Sequence, residues 1–319
     1  MRALLVGDVH ATPEEIGDCR KLVDYVISTA VEQKIKHIIF MGDLCNTHAV
    51  LRVEVLAFWR EAFQDMRNKK LEVTLLVGNH DYAGEGLKIH SLMAFEDLVS
   101  VIDEPMCIAA NAMAIPYMAD REQMVSTLSD PKWADIEYLL CHQTFEGAEY
   151  DNGMYAPDGL DQDLLPQKFI ISGHIHKPAQ FGKVTYIGAP RWRTLSDANI
   201  ERSIVLFDFD TGERKDFSTG NVCRQIRYVE DTPTSPAPKT LDPNIEWRID
   251  IKGPAEYIET RKAELAGTAR LRTFKTDKAA AKVRESEGVS KAFYKFLDKY
   301  NPKYGTPKER LVQMAQEML

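Results

Sequence analysis

The chain has 319 residues, 44% hydrophobic and 28% charged, the make-up of an ordinary globular protein with room for a large core and more than one domain. No apolar run approaches the roughly 20 residues that cross a bilayer. Asp8 interrupts the first apolar run too early for a signal peptide, so a cytoplasmic protein without a membrane partner is expected.

Five scattered cysteines with no Cys-x-x-Cys pair argue against a disulfide framework and a thiolate zinc site. Cys45 either touches the chemistry discussed below or is a small loop residue, and Cys141 reads as a buried strand residue. The net charge of −8 is uneven: residues 261–319 hold 14 Lys/Arg against 7 Asp/Glu, net +7, which leaves −15 on residues 1–260. A basic end of this kind either meets nucleic acid or an acidic partner, or is a solvated helical face.

In chain order, Arg2–Val6 reads as a buried strand. Thr12-Pro13 followed by Glu15 has the form of a helix start, with Thr12 as cap and Glu15 closing a capping box. Glu14–Lys34 then carries Ile16, Leu22, Val23, Val26, Ile27 and Ala30 at helical spacing. A strand over Lys36–Met41, a helix over Leu51–Met66, a strand over Leu71–Val77 and a helix near Leu87–Leu98 follow. Short extended pieces at Val99–Ile102 and Ala112–Ile115 precede a helix over Ala119–Leu128. Ile136–Cys141, Lys168–Ser172, Val184–Ile187 and Ser203–Phe209 are strand-like. Glu146–Pro166 reads as a long surface loop, where Tyr150 and Tyr155 either meet substrate or pack the loop. Strands alternating with helices, then a run of strands, predict an α/β sandwich of central sheets flanked by helices.

Asp231–Pro243, with four prolines, reads as a linker or crossing between domains. Beyond it a strand (Glu246–Ile251), a helix (Ala255–Leu265) and a strand (Leu271–Thr276) predict a small α+β module. Ser290 caps a helix with Ala292, Phe293, Phe296, Leu297 and Tyr300 on one face. The box Thr306-Pro307-Lys308-Glu309 opens a last helix. These two helices either pack on the body or dock on a partner. No Gly-x4-Gly-Lys-Ser/Thr loop is present, so no P-loop ATPase is expected in this chain.

Five of the strands end in metal-ligand residue types. Asp8 and His10 follow the first strand, Asp43 the second and Gly78-Asn79-His80-Asp81 the third; His142 and then His174 and His176 follow two later ones. Chemistry at the carboxyl ends of strands is the habit of α/β folds. Asp8, His10, Asp43, Asn79, His142, His174 and His176 offer carboxylate, amide and imidazole without thiolate, a set suited to Mn²⁺, Fe²⁺ or Zn²⁺. Seven ligands are too many for one ion and fit two, which together activate water and neutralise charge at phosphorus. His80 is then spare to move a proton, and Asp81 to orient it or to support the ligands.

These residues, Asp-x-His, Gly-Asp, Gly-Asn-His-Asp, a strand-end His and Gly-His-x-His, resemble the calcineurin-like metallophosphoesterase superfamily over about residues 1–209. The resemblance implies a metallophosphoesterase-type β-sandwich flanked by helices, with a small α+β cap domain and C-terminal helices. It implies that Asp8, His10, Asp43 and His176 hold one metal and Asp43, Asn79, His142 and His174 the other, with Asp43 bridging. It makes His80 the catalytic acid or phosphate-stabilising group.

His142-Gln143-Thr144-Phe145-Glu146-Gly147 and Tyr186-Ile187-Gly188-Ala189-Pro190 are similar to stretches of SbcD-type nuclease subunits, including the small recombination-endonuclease subunits of bacteriophages. That likeness implies two Mn²⁺ ions, DNA as substrate, homodimers, and an SbcC-type ABC ATPase whose coiled coil is bound by the C-terminal helices. The corresponding division is a nuclease domain over 1–217, a DNA-binding cap over 218–278 with Arg270, Arg272 and Lys275 on phosphates, and a partner-binding segment over 279–319. Some relatives place a second functional histidine three residues after the bridging Asp; here Asn46 stands there, and His48 is the nearest histidine. The competing functions are a phosphatase or cyclic-nucleotide phosphodiesterase, and a scaffold whose metal site has lapsed.

Overall fold

The computed structural model describes residues 1–48, 50–84, 88–150, 153–156 and 159–276. In chain order the strands are β1 (Arg2–Val6), β2 (His37–Phe40), β3 (Glu72–Leu76), β4 (Ser100–Ile102), β5 (Met106–Ala109), β6 (Ala112–Ala114), β7 (Tyr138–Cys141) and β8 (Phe169–Ser172). They continue with β9 (Ala179–Phe181), β10 (Val184–Tyr186), β11 (Ser203–Asp208), β12 (Arg214–Ser218), β13 (Gln225–Asp231), β14 (Ile245–Gly253) and β15 (Arg270–Lys275). The α-helices are α1 (Ile16–Glu32), α2 (Val53–Asn68), α3 (Arg121–Leu128) and α4 (Ala255–Glu264).

Among the described residues these strands make two six-stranded sheets, β12-β11-β1-β2-β3-β4 and β5-β6-β7-β8-β10-β9, and a third of β13-β14-β15. The two large sheets face each other. Ala3, Leu5, Ile39, Met41 and Leu76 from the first meet Ala112, Ala114, Tyr138, Leu140 and Ile171 from the second in one apolar layer. The other face of the first sheet, with Leu4, Val6, Ile38, Phe40 and Leu75, is covered by α1 and α2. The other face of the second, with Met113, Leu139, Cys141 and Ile170, is covered by α3 and the 145–165 segment. Strands buried on both faces need apolar side chains at every position, which is why β1, β2 and β7 read as unbroken runs rather than alternating ones.

Three local expectations change. Pro13–Glu15 is a 3₁₀ turn, and α1 begins only at Ile16. The capping box does not form, because the Glu15 carboxylate is taken at 2.9 Å by the buried Arg191. In place of a helix over 87–98, a 3₁₀ turn spans Ser91–Phe95, with Leu92 and Phe95 buried three residues apart, the period of that turn. Leu87 itself lies outside the described residues. Strands β5, β9 and β12 have no counterpart in the predicted elements: each is an edge strand, partly or largely exposed, and its mixed composition hides it. Within 146–166, Ala148, Ala156, Leu160 and Leu165 are buried against the second sheet, as is Phe145 just before it; Tyr150 packs there too, and Tyr155 stands out in solvent.

By their contacts the described residues divide into two compact units, 1–228 with 240–248, and 229–239 with 249–276. The second contains α4, β15 and parts of β13 and β14. It is tied by Asp231, buried, which accepts from Arg261 Nε at 2.8 Å and from the Tyr257 hydroxyl. The segment 279–319, with the helices expected after Ser290 and Thr306, lies outside the described residues. No helix among the described residues is long and apolar enough to cross a membrane.

Candidate metal centre

β1, β2, β3 and β4 run parallel, as do β6, β7, β8 and β10. Each sheet therefore delivers the loops that follow its parallel strands to one edge. Val6 is in register with Phe40, and Phe40 with Leu75, so Asp8, Asp43 and Asn79 leave the first sheet side by side. Cys141 is in register with Ser172, which sets His142 beside Gly173-His174 on the second.

The structure brings all seven expected ligands and His80 into one cluster. Ligand atoms of Asp8, His10 and His176 lie within 4.8 Å of one another, and so do those of Asp43, His142 and His174. A third grouping of the same spread joins His10, Asp43 and His80. Asn79 completes the second group: its Oδ1 is 3.0 Å from His142 Nε2 and 2.8 Å from His174 Nδ1. Asp43 faces both sides, with Oδ2 3.5 Å from His10 Nε2 and 3.3 Å from His142 Nε2. His10 Nε2 and His176 Nε2 stand 3.0 Å apart.

The backbone is bent to make this possible. His10, Asp43 and His174 all have positive φ, at 48°, 51° and 79°, a conformation L-residues adopt at a cost and one that clusters at functional sites. Glycine is required next to them. A Cβ on Gly42, at φ 103°, would sit 2.3 Å from His142 Nδ1, and one on Gly78 would sit 2.3 Å from Asp43 Oδ1.

Supporting residues aim the ligands. His142 Nδ1 donates to the Met41 carbonyl at 2.8 Å, which points Nε2 into the cluster. The Asp8 carboxylate accepts the His174 N–H at 2.9 Å. Asp81 turns away from the His80 ring: it is fully buried, and its Oδ2 accepts the Gly78 and Asp43 N–H groups at 2.9 Å each, clamping two loops together. The His80 N–H donates to Asp43 Oδ1 at 2.8 Å, and its Nδ1 donates to the Asn46 carbonyl at 3.0 Å. Cys45 is buried on the α1–α2 side, where burial pushes its thiol well up, so it takes no part as a thiolate. Arg270, Arg272 and Lys275 stand on β15. Arg272 pairs with Asp250 through two contacts of 2.7 Å while most of its side chain stays exposed.

A family profile for calcineurin-like phosphoesterases matches residues 1–178. The chain belongs to the calcineurin-like phosphoesterase family. It is similar to exonuclease subunit 1 of enterobacteria phage T4, 27% identical over 248 residues that cover 72% of this chain and 71% of that one. Among solved structures it is similar to a nuclease of Pseudomonas putida, with 16% identity over 67% of this chain and 87% of the other at a TM-score of 0.33. A phosphoesterase from E. coli gives 14% identity, 66% and 90% coverage and a TM-score of 0.35.

The donor set of this calcineurin-like phosphoesterase fits divalent metal. With its Nδ1 proton given to Met41, a neutral His142 would turn a bare Nε2 lone pair toward Asn79 Oδ1 and Asp43 Oδ2, acceptor against acceptor. Such a contact needs a cation or an extra proton between the atoms. Burial opposes a charge on His142, but the Asp43 and Asp8 carboxylates override it and lift the ring to about 10. Asp81 is raised to about 7 by burial and by Asp43, and burial raises Asp8 as well. Burial disfavours charge on the Asp8 and Asp43 carboxylates, and divalent ions would neutralise it. His10 Nδ1 is buried without a hydrogen-bond partner. When bound, such ions supply Lewis acidity toward a phosphoryl group and the water that attacks it. The enzyme is thus a metal-dependent phosphoesterase.

Several supporting residues carry no sequence signal. Arg191 is fully buried and donates to the Val9 carbonyl at 2.9 Å and to the His10 carbonyl at 3.0 Å. Arg202 donates to the His176 carbonyl. Tyr117 stacks on His174, with ring centroids 6.2 Å apart at 29°. Their partners are brought in from other loops; the Pro190-Arg191 step after the Gly-Ala-Pro stretch was the nearest available clue.

Proposed function

We propose that this phosphoesterase is a two-metal DNA exonuclease or endonuclease that hydrolyses phosphodiester bonds. The observation that carries the reading is that two ligand groups, Asp8–His10–His176 and Asp43–His142–His174 with Asn79, share Asp43 between them. Paired ions at such a bridge clamp the phosphate in line, and Mn²⁺ suits the oxygen-and-imidazole donor set. His80 is tied to Asp43 through its backbone N–H, and with its ring Nδ1 committed to Asn46 it presents Nε2 as the atom that passes a proton to the leaving oxygen. Asp81 positions the loop that carries it.

The similar phage protein is named an exonuclease and a subunit. That supports DNA as substrate and a partner working alongside, which we take to be an SbcC-type ABC ATPase with a coiled coil, bound by residues 279–319. In this scheme residues 1–217 are the nuclease domain, 218–278 the cap that meets DNA through Arg270, Arg272 and Lys275, and the chain is a cytoplasmic homodimer. Phosphate contacts of that kind are sequence-independent and weaken with salt.

The experiment is digestion of end-labelled linear duplex DNA with Mn²⁺, Mg²⁺ or chelator, wild type beside His80→Ala. Mn²⁺-dependent shortening that His80→Ala loses is the expected result. Retained cleavage in His80→Ala removes the role of His80. Turnover of phosphomonoesters without DNA cleavage moves the enzyme to the phosphatases.

A further inference from the structure

The ring of His80 is held by one hydrogen bond and two ring neighbours, and one of those neighbours has no role in the scheme above. The ring of His48 lies flat on the ring of His80, with centroids 4.2 Å apart and planes 26° from parallel. On the other side, the His10 ring meets His80 edge-on at 4.8 Å and 86°. His48 is itself fixed, since its Nδ1 donates to the Asn79 carbonyl at 3.1 Å. The residue that caps the His80 face is thereby tied to the loop that carries His80 and to the ligand next to it. The carbonyl that accepts the His80 Nδ1 proton belongs to Asn46, whose side chain is held at 2.7 Å by Arg193 Nη2, and Arg193 in turn lies 3.5 Å from Glu15.

The loop after Asp43 therefore supplies two restraints on one ring. Asn46 fixes the tautomer through a hydrogen bond, and His48 fixes the plane through a stack. An imidazole has two rotatable bonds, and without a face to lie on, His80 could swing while keeping its Nδ1 bond. Proton transfer loses rate steeply when donor and acceptor fall out of line.

We propose that His48 is a positioning residue for His80, acting through the ring stack rather than through metal or substrate. The inference rests on His80 as the proton donor, and the test separates the two. It uses the full chain with Mn²⁺ and two phosphodiesters: a dinucleotide, whose leaving alkoxide must take a proton as its P–O bond breaks, and a nitrophenyl diester, whose leaving group needs none. His48→Ala should lower kcat on the dinucleotide by about tenfold or more with KM little changed, and should cost much less on the nitrophenyl diester. His48→Phe keeps a ring face and loses the bond to Asn79, so it should recover most of the dinucleotide rate. In metal-free protein, the His80 ring protons should lose their upfield ring-current shift in His48→Ala and keep it in His48→Phe.

Equal losses on both diesters, or a His48→Phe protein no better than His48→Ala, would overturn the stack as the working contact. His80→Ala is run beside them. If it is impaired on the dinucleotide while His48→Ala is not, the positioning role falls and the proton donor stands. If His80→Ala cleaves the dinucleotide like wild type, the donor reading falls first and takes this one with it.

Discussion

Arg191 offers the sharpest test of how the metal-binding loops are held. Its guanidinium has no solvent exposure, and it donates to the carbonyls of Val9 and His10 and to Glu15 at 2.9–3.0 Å. Arg191→Met keeps the length and removes all three bonds. Two carbonyls in a buried loop then lose their donor, at about 1–3 kcal/mol each. Glu15 is partly exposed, 21% by side chain, so it turns to water at little further cost. The burial that works to raise its carboxyl is at present overridden by Arg191, which holds it below the usual range. The sum, about 2–6 kcal/mol, brackets the cost of breaking a buried pair from one side. It is a large share of the roughly 5–15 kcal/mol that keeps a domain folded. Urea unfolding in excess chelator reads it without metal linkage, and Arg191→Lys, which keeps the charge and loses the planar fork, should fall between. An unfolding free energy for Arg191→Met within about 1 kcal/mol of wild type would refute the view that Arg191 ties the His10 loop to the body.

Gly42→Ala should destabilise the metal-free protein by about 2–4 kcal/mol, because φ 103° is strained for alanine and the new Cβ would push His142 off the Met41 carbonyl. The same variant should weaken Mn²⁺ binding by calorimetry, and unchanged binding would count against the aiming role of that bond. At pH 8 a thiol reagent should titrate Cys107 quickly and the other four only on unfolding. Cys19 is pushed up to about 11 and Cys141 and Cys223 to about 12, all by burial, which suppresses the reactive thiolate. Mn²⁺ at 100 times its dissociation constant should add about 2.7 kcal/mol of stability per site. Asp43→Asn should cut that gain at both sites and His176→Gln at one, as followed by thermal unfolding with and without chelator.

Much of the candidate site is visible in the chain because its logic is local. Each ligand stands within a few residues of the end of an apolar strand, and parallel strands of one sheet end at one edge. Asp8, Asp43, Asn79, His142 and His174 could thus be picked out one at a time without knowing the distances between them. The body helices were legible for a similar reason: α1 and α2 each bury one face on the first sheet and so keep a helical period. The buried side of the 146–166 loop and the edge strands were harder, since a half-exposed segment selects its side chains weakly.

What stayed hidden is the layer behind the ligands. Arg191 comes from a loop about 180 residues beyond the two carbonyls it binds, Asn46 meets Arg193, and His48 lies on His80. Asp81 is a further case: the sequence left it either to orient His80 or to support the ligands, and only the structure shows its carboxylate closing on two backbone N–H groups. Residue type and spacing determined which groups can bind metal, because that chemistry belongs to single side chains placed by their own strands. Which of them face one another, and what holds each in line, was decided by the packing of two sheets, because a hydrogen bond depends on distance in space and the chain's order does not encode it.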